Sequence, residues 1–137
     1  MESDSSLSDA GKLVLRLTTA GLLLFHGISK ILHGISGISH GVVAHHLPAF
    51  IAYGVYIGEV VAPLFLILGL WTRIAALVVM FDLFVAVALV AYRNFFVLSR
   101  SGGWAVEAEA FYFLTALAIF LLGAGRLAVS RDKSFWG

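Results

Sequence analysis

Arg16, His26, Lys30, Glu59 and Asp82 are ionisable residues set within otherwise apolar stretches of this chain, with the phenol of Tyr56 three residues before Glu59. An ionisable side chain at the centre of a bilayer costs at least ~2.5 kcal/mol and is usually paired or functional. An ammonium, an imidazole, a phenol and two carboxylates can donate hydrogen bonds to a lipophilic ligand and exchange protons with it. A quinone needs that set: one or two donors, an acid–base group and an apolar slot. His26, Lys30, Tyr56, Glu59 and Asp82 are therefore the candidate ligand-binding residues.

The histidines raise a second possibility. All five lie between Phe25 and His46, and His26, His33 and His40 fall seven residues apart, with the sequence HGIS repeated in that register. On one helix, period seven separates His26 and His33 by ~10 Å, too far for both to reach one ion. His40, His45 and His46 could gather in the loop that follows and are the metal candidates, although a resident metal is not expected. Haem is not expected either, because its two axial ligands would have to face each other from different helices.

Composition says what must hold these residues. Of 137 residues, 61% are hydrophobic and 12% are charged, against about 25% charged in a soluble domain. Mean hydropathy is +0.99. The chain is an integral membrane protein in contact with a lipid bilayer. A net charge of +1 without a basic run excludes nucleic acid as a partner, and the absence of cysteine excludes disulfides, thiol redox chemistry and thiolate-held clusters. The acidic, serine-rich start lacks the basic region of a signal peptide, so the first apolar stretch is expected to be retained.

A spanning helix needs ~20 apolar residues, and four segments qualify: 13–32, 49–70, 74–92 and 108–128. The fold expected is all-α, a membrane four-helix bundle over residues 13–132 with a polar N-terminal tail at 1–12 and a short C-terminal tail at 133–137. Four crossings put both termini on one side. Lys12, Arg16, Arg73, Arg126, Arg131 and Lys133 fall there, against Lys30, Arg93 and Arg100 opposite, which places the termini in the cytoplasm.

Helical rise sets His26, Glu59 and Asp82 near mid-membrane and Lys30 one turn further out, within reach of Glu59. Arg16, His26, Lys30 and His33 share an arc of ~100°, so one polar face of the first helix should point inward. A Lys30–Glu59 pair that only fixes helix register accounts for the same residues. Asp82 has no basic residue on its own helix and could share a hydrogen bond with His26; Arg16 is near enough to the interface to snorkel. Pro63 frees the carbonyl of Glu59, so the second helix should bend there. Gly54, Gly58 and Ala62 form a small-residue stripe suited to a dimer contact.

The stretches RLTTAGLLLFHGISK, GEVVAPLFLILGLWTRIAAL and GGWAVEAEAFYFLTALAIFLLGAGRLAVSRD resemble the DoxX family of bacterial and archaeal membrane proteins. The likeness runs from Leu13 to about Asp132. It rests on Arg16, on Gly27 followed by Lys30, on Glu59 followed fourteen residues later by Arg73, on Glu107 and on Gly123 with Gly125. The resemblance implies a four-helix membrane bundle in the bacterial cytoplasmic (inner) membrane. The family is named for a small subunit of a thiosulfate:quinone oxidoreductase, which implies a redox role with quinone for a subunit that carries no redox centre of its own. Arg16, Arg73 and Glu107 would then hold helix ends or form ion pairs. A homodimer or a hetero-complex with a redox partner is expected, because four short helices bury limited surface. The competing expectation is a non-enzymatic scaffold, or a transporter of a metal, a peptide or a hydrophobic molecule.

Overall fold

The computed structural model describes residues 2–130, and side-chain surroundings from residue 5 onward. The expected C-terminal tail at 133–137, with Arg131 and Lys133, lies outside the described residues. Among the described residues regular structure is helical, apart from one antiparallel bridge between Leu98 and Trp104.

Helix α1 runs from Glu2 to His33, 32 residues, or ~48 Å at ~1.5 Å per residue. It is longer than the bilayer core requires. The expected separate tail at 1–12 is absent, since residues 2–12 continue the same helix with no proline to stop it. Asp9 is turned inward, where it accepts the backbone N–H of Arg126 at 3.1 Å and meets the Lys12 ammonium at 3.7 Å. Gly34, at φ +85°, ends α1.

The first connection is not the open loop expected from its glycines and histidines. Residues Ser36–Ala44 form a short helix, α2. Ile38 and Val42 stand one turn apart on it, and Val42 is buried. Gly41 lets the α2 backbone approach the Leu89 carbonyl, so packing on the chain around residues 49–54 and 87–91 holds this helix despite its weak composition.

The second crossing changes pitch along its length. It opens as a 3-10 turn at Ala49–Gly54, widens to a π turn at Ile57–Val61, and finishes as α3, Ala62–Leu68. Pro63 explains the position of the wide turn: its ring takes the space of a bond to the carbonyl of residue 59. The backbone oxygen of Glu59 faces Gly27 of α1, where a side chain would collide with it and with Val60. After a tight turn, α4 spans Thr72–Ala86 and continues as a π turn at Val87–Ala91 and a 3-10 turn at Tyr92–Asn94.

Helix α5 covers Glu107–Leu122, 16 residues, or ~24 Å, shorter than the expected 108–128 and than a ~30 Å hydrocarbon core. It stops because Gly123 and Gly125 adopt φ of +73° and +74°, a region side chains disfavour. The chain then folds back, with Arg16 donating to the carbonyls of Ala124 at 2.5 Å and Leu127 at 3.0 Å. Arg16 is 1% exposed. It does not snorkel, because those carbonyls supply the acceptors water would otherwise provide.

Three helical segments are long and apolar enough to cross a membrane: Ser5–His33, Ala49–Leu68 and Thr72–Asn94. Packing runs from α1 to α3, α3 to α4, α4 to α5 and α5 back to α1. The core between them is built largely of small side chains, Ala20, Ala62, Ala75, Ala76 and Ala116, with Leu23, Leu66, Val79, Leu83 and Ile119. Where lipid is as apolar as leucine, close approach of small residues, rather than water exclusion, holds helices together.

The Gly27 contact can be tested against a glycine that touches nothing. Gly21 has open space where a Cβ would stand. Gly21→Ala is expected to be neutral or to stabilise by about 0.5–1 kcal/mol. Gly27→Ala should instead destabilise by about 1–3 kcal/mol through overpacking, with thermal unfolding in detergent as the readout. Equal effects at the two positions would remove the contact from the account.

Candidate functional site

The polar residues near the middle of the second crossing are brought together by two local features. The π turn at Ile57–Val61 carries the Glu59 side chain inward, and such turns recur at functional sites. Glycine at position 27 allows α1 close enough for Lys30 to reach it. Lys30 Nζ donates to Glu59 Oε1 in a direct ion pair. Glu59 is 5% exposed, whereas the Lys30 side chain keeps about a quarter of its surface open. Tyr56, one turn before Glu59, donates its hydroxyl to the Lys30 carbonyl at 3.2 Å, so the two helices are tied by backbone as well as by charge.

Asp82 approaches from α4. Its carboxyl packs directly over Gly58, where any side chain would overlap it, and both Glu59 and Lys30 act on it electrostatically. Glu59 Oε2 and Asp82 Oδ2 are buried and have no hydrogen-bond partner among the described residues. Two carboxylates stand beside one ammonium here, which pairs with Glu59, and each keeps an unused acceptor. Unmet buried polar atoms are rare enough in native structures to require a reason.

The histidines divide differently from the sequence expectation. His26 is exposed and stacks edge-on to Tyr112 of α5 at 5.9 Å. No hydrogen bond joins it to Asp82 among the described residues. His33 is exposed too, and its Nδ1 lies 2.9 Å from the Ser29 carbonyl of its own helix. Helix geometry supplies the reason. Relative to Arg16, Lys30 lies at ~40° around the axis but His26 and His33 at ~80° and ~100°, so the two histidines occupy the flank of the arc. Only Arg16 and Lys30 turn inward. In the first connection His40, His45 and His46 are all exposed; His45 stacks on Tyr92 at 5.4 Å. No three histidine, aspartate or glutamate side chains converge among the described residues.

Arg73 and Glu107 stand at opposite ends of α5. Arg73 Nε donates to the Phe120 carbonyl at 2.9 Å, in the last turn, where acceptors are free. Glu107 opens the helix and lies against Gly103, its charge favourably placed at the positive end of the helix dipole. The Gly54–Gly58–Ala62 stripe is not an outer dimer face. Gly58 receives Asp82 and Ala62 is in the core; only Gly54 is open.

Beside the cluster lies a cavity of about 760 Å³ between α2, the outer half of the second crossing and α4. Asp82 is the one candidate residue that lines it; His26, Lys30, Tyr56 and Glu59 do not. Sequence reasoning missed this cavity, the role of Gly27 and Gly58 as seats for polar groups, and the inward Asp9. The spacing of Gly27 and Lys30 was visible, but nothing in it indicated which backbone the glycine would face.

Truncating one member of a buried pair leaves the other uncompensated. Lys30→Met is expected to destabilise by about 3 kcal/mol, and the double variant Lys30→Met/Glu59→Leu to recover more than half of that loss. Thermal unfolding of the four proteins in one cycle measures it, and strictly additive effects would show that the two groups do not interact.

Comparison with known proteins returns one relationship. The DoxX family model matches residues 11–92, more than half of the chain. That match includes Arg16, Gly27, Lys30, Glu59 and Arg73 and ends before Glu107 and the Gly123–Gly125 segment. No curated protein and no solved structure matches.

Proposed function

The chain belongs to the DoxX family, and from that premise we propose that it is a subunit of a redox system in the bacterial cytoplasmic membrane, acting with quinone or a quinone-like substrate. Four crossings, with α5 as a short fourth, would put both termini in the cytoplasm. The reading is carried by one observation: the Lys30–Glu59 pair at the π turn keeps a free acceptor on Glu59 and a partly open ammonium on Lys30.

In this role Lys30 hydrogen-bonds a quinone oxygen. Glu59 orients the ammonium and, through Oε2, takes or supplies a proton. Asp82 is a second proton group one glycine away. Tyr56 fixes the Lys30 backbone. His26 stands apart on the flank against Tyr112, so Lys30 is the donor we assign. Arg16, Arg73 and Glu107 hold the ends of α5 and the segment after it. The chain has no cysteine, and no histidine cluster forms among its described residues. Electrons would therefore pass through a partner protein, with this subunit binding substrate and handling protons.

Binding of a short-chain ubiquinone to the protein in nanodiscs, against empty nanodiscs, tests the proposal. Lys30→Met and Glu59→Gln should each weaken binding by about ten-fold, roughly 1.4 kcal/mol, with Glu107→Gln unchanged. Unaltered affinity in both cluster variants would return the ion pair to a purely structural role.

A further inference from the structure

The cavity beside α4 is not explained by the quinone reading, since the proposed donor and its partner do not line it. It is almost entirely apolar: Val42 of α2, Val55 of the second crossing, Phe81 and Val85 of α4 and Leu89 of the π turn after it are typical of its walls. Its lining along α4 and the π turn that continues it runs from Ile74 to Val90, a length of ~24 Å. Ile57, Phe81 and Phe84 at its rim are exposed, so a molecule dissolved in lipid can enter without crossing water. About 760 Å³ falls in the range of sites that enclose small organic ligands.

One charged side chain breaks this apolar surface. Asp82 stands about halfway along the lining, seated on Gly58, with Oδ2 buried and without a hydrogen-bond partner among the described residues. Charge counting makes the site specific. Of the groups that face Asp82, Glu59 on the second crossing is already paired with Lys30 on α1, and the other ionisable residue of α4, Arg73, lies nine residues away with its Nε on the Phe120 carbonyl. The cluster therefore holds two acids and one base. An unpaired carboxylate in hydrocarbon is costly, and a cation delivered by a ligand would complete a second ion pair.

We propose that this cavity binds a lipophilic amine, with its chain along the α4 wall and its ammonium on Asp82. Charge-assisted hydrogen bonds are roughly twice as strong as neutral ones, so the site should rank ligands of equal chain length by head group. The proposal shares Asp82 with the quinone reading but needs neither Lys30 nor Glu59 as a ligand contact.

The test compares dodecylamine, dodecanol and dodecyl methyl ether on the full chain in nanodiscs, with protein-free nanodiscs subtracting partition into lipid. The amine should bind about ten-fold more tightly than the alcohol, a difference of roughly 1.4 kcal/mol, and the ether more weakly still. Asp82→Asn should abolish the ranking, while Asp82→Glu should retain it. Ala88→Trp, at a lining residue six positions after Asp82, should weaken all three, and unchanged ubiquinone binding by Asp82→Glu shows that an Asp82 variant is folded. Lys30→Met should leave amine binding intact or tighter even though quinone binding falls, which separates the two sites. Equal affinity for the three probes, or an amine preference that survives Asp82→Asn, would overturn the proposal.

Discussion

An ammonium and a carboxylate meeting inside the membrane, Lys30 on α1 and Glu59 on the second crossing, impose the constraint on which the rest of this structure depends. Neither charge can be left alone in hydrocarbon. For them to meet, the two backbones must come close, and Gly27 is the residue that permits it by facing the Glu59 carbonyl. That carbonyl lost its helical partner to Pro63, and the π turn at Ile57–Val61 accommodates the loss while rotating Glu59 inward. Proline, wide turn, glycine and ion pair are thus four parts of one solution. Its remainder is an acceptor on Glu59 and another on Asp82 that no described residue satisfies.

The other end of the molecule applies a similar logic with a different outcome. Arg16 is as buried as Glu59, yet its guanidinium finds backbone carbonyls, not an acid. Those carbonyls exist because Gly123 and Gly125 end α5 early and turn the chain back over the helix ends. Arg73 caps α5 at Phe120, and Asp9 takes the Arg126 N–H. This end turns most of its polar groups into internal hydrogen bonds, although Arg16 Nε and Thr72 Oγ1 stay buried without a partner among the described residues. The cluster around Glu59 holds two carboxylates against one ammonium, and it is there that the proposed ligands would bind.

Much of this was legible in the sequence, for physical reasons. Apolar length marked four segments, of which three are helices long enough to cross a membrane while the fourth is cut short at Leu122 by Gly123; helical rise put Lys30 within reach of Glu59. Proline chemistry located the disturbance in the second helix. Glycine was harder to read. Gly54, Gly58 and Ala62 looked like an outward stripe, but spacing alone does not say which neighbour a small residue admits, and Asp82 occupies Gly58 from within. The histidines misled for a related reason: a ~100° arc has a centre and flanks, and His26 and His33 lie on the flank. The helix at Ser36–Ala44 was hidden because its stability comes from packing on residues 49–54 and 87–91, which local composition cannot report.

The most direct measurement of the central claim is a solid-state NMR recoupling experiment in lipid bilayers, between ¹⁵N at Lys30 Nζ and ¹³C at the Glu59 carboxyl. Rapid dephasing is expected, the signature of a directly bonded ammonium and carboxylate, with its loss in Gly27→Leu, where α1 can no longer approach. Absence of dephasing in the native chain would mean that the two charges are held apart, and the ion pair with the site built on it would have to be abandoned.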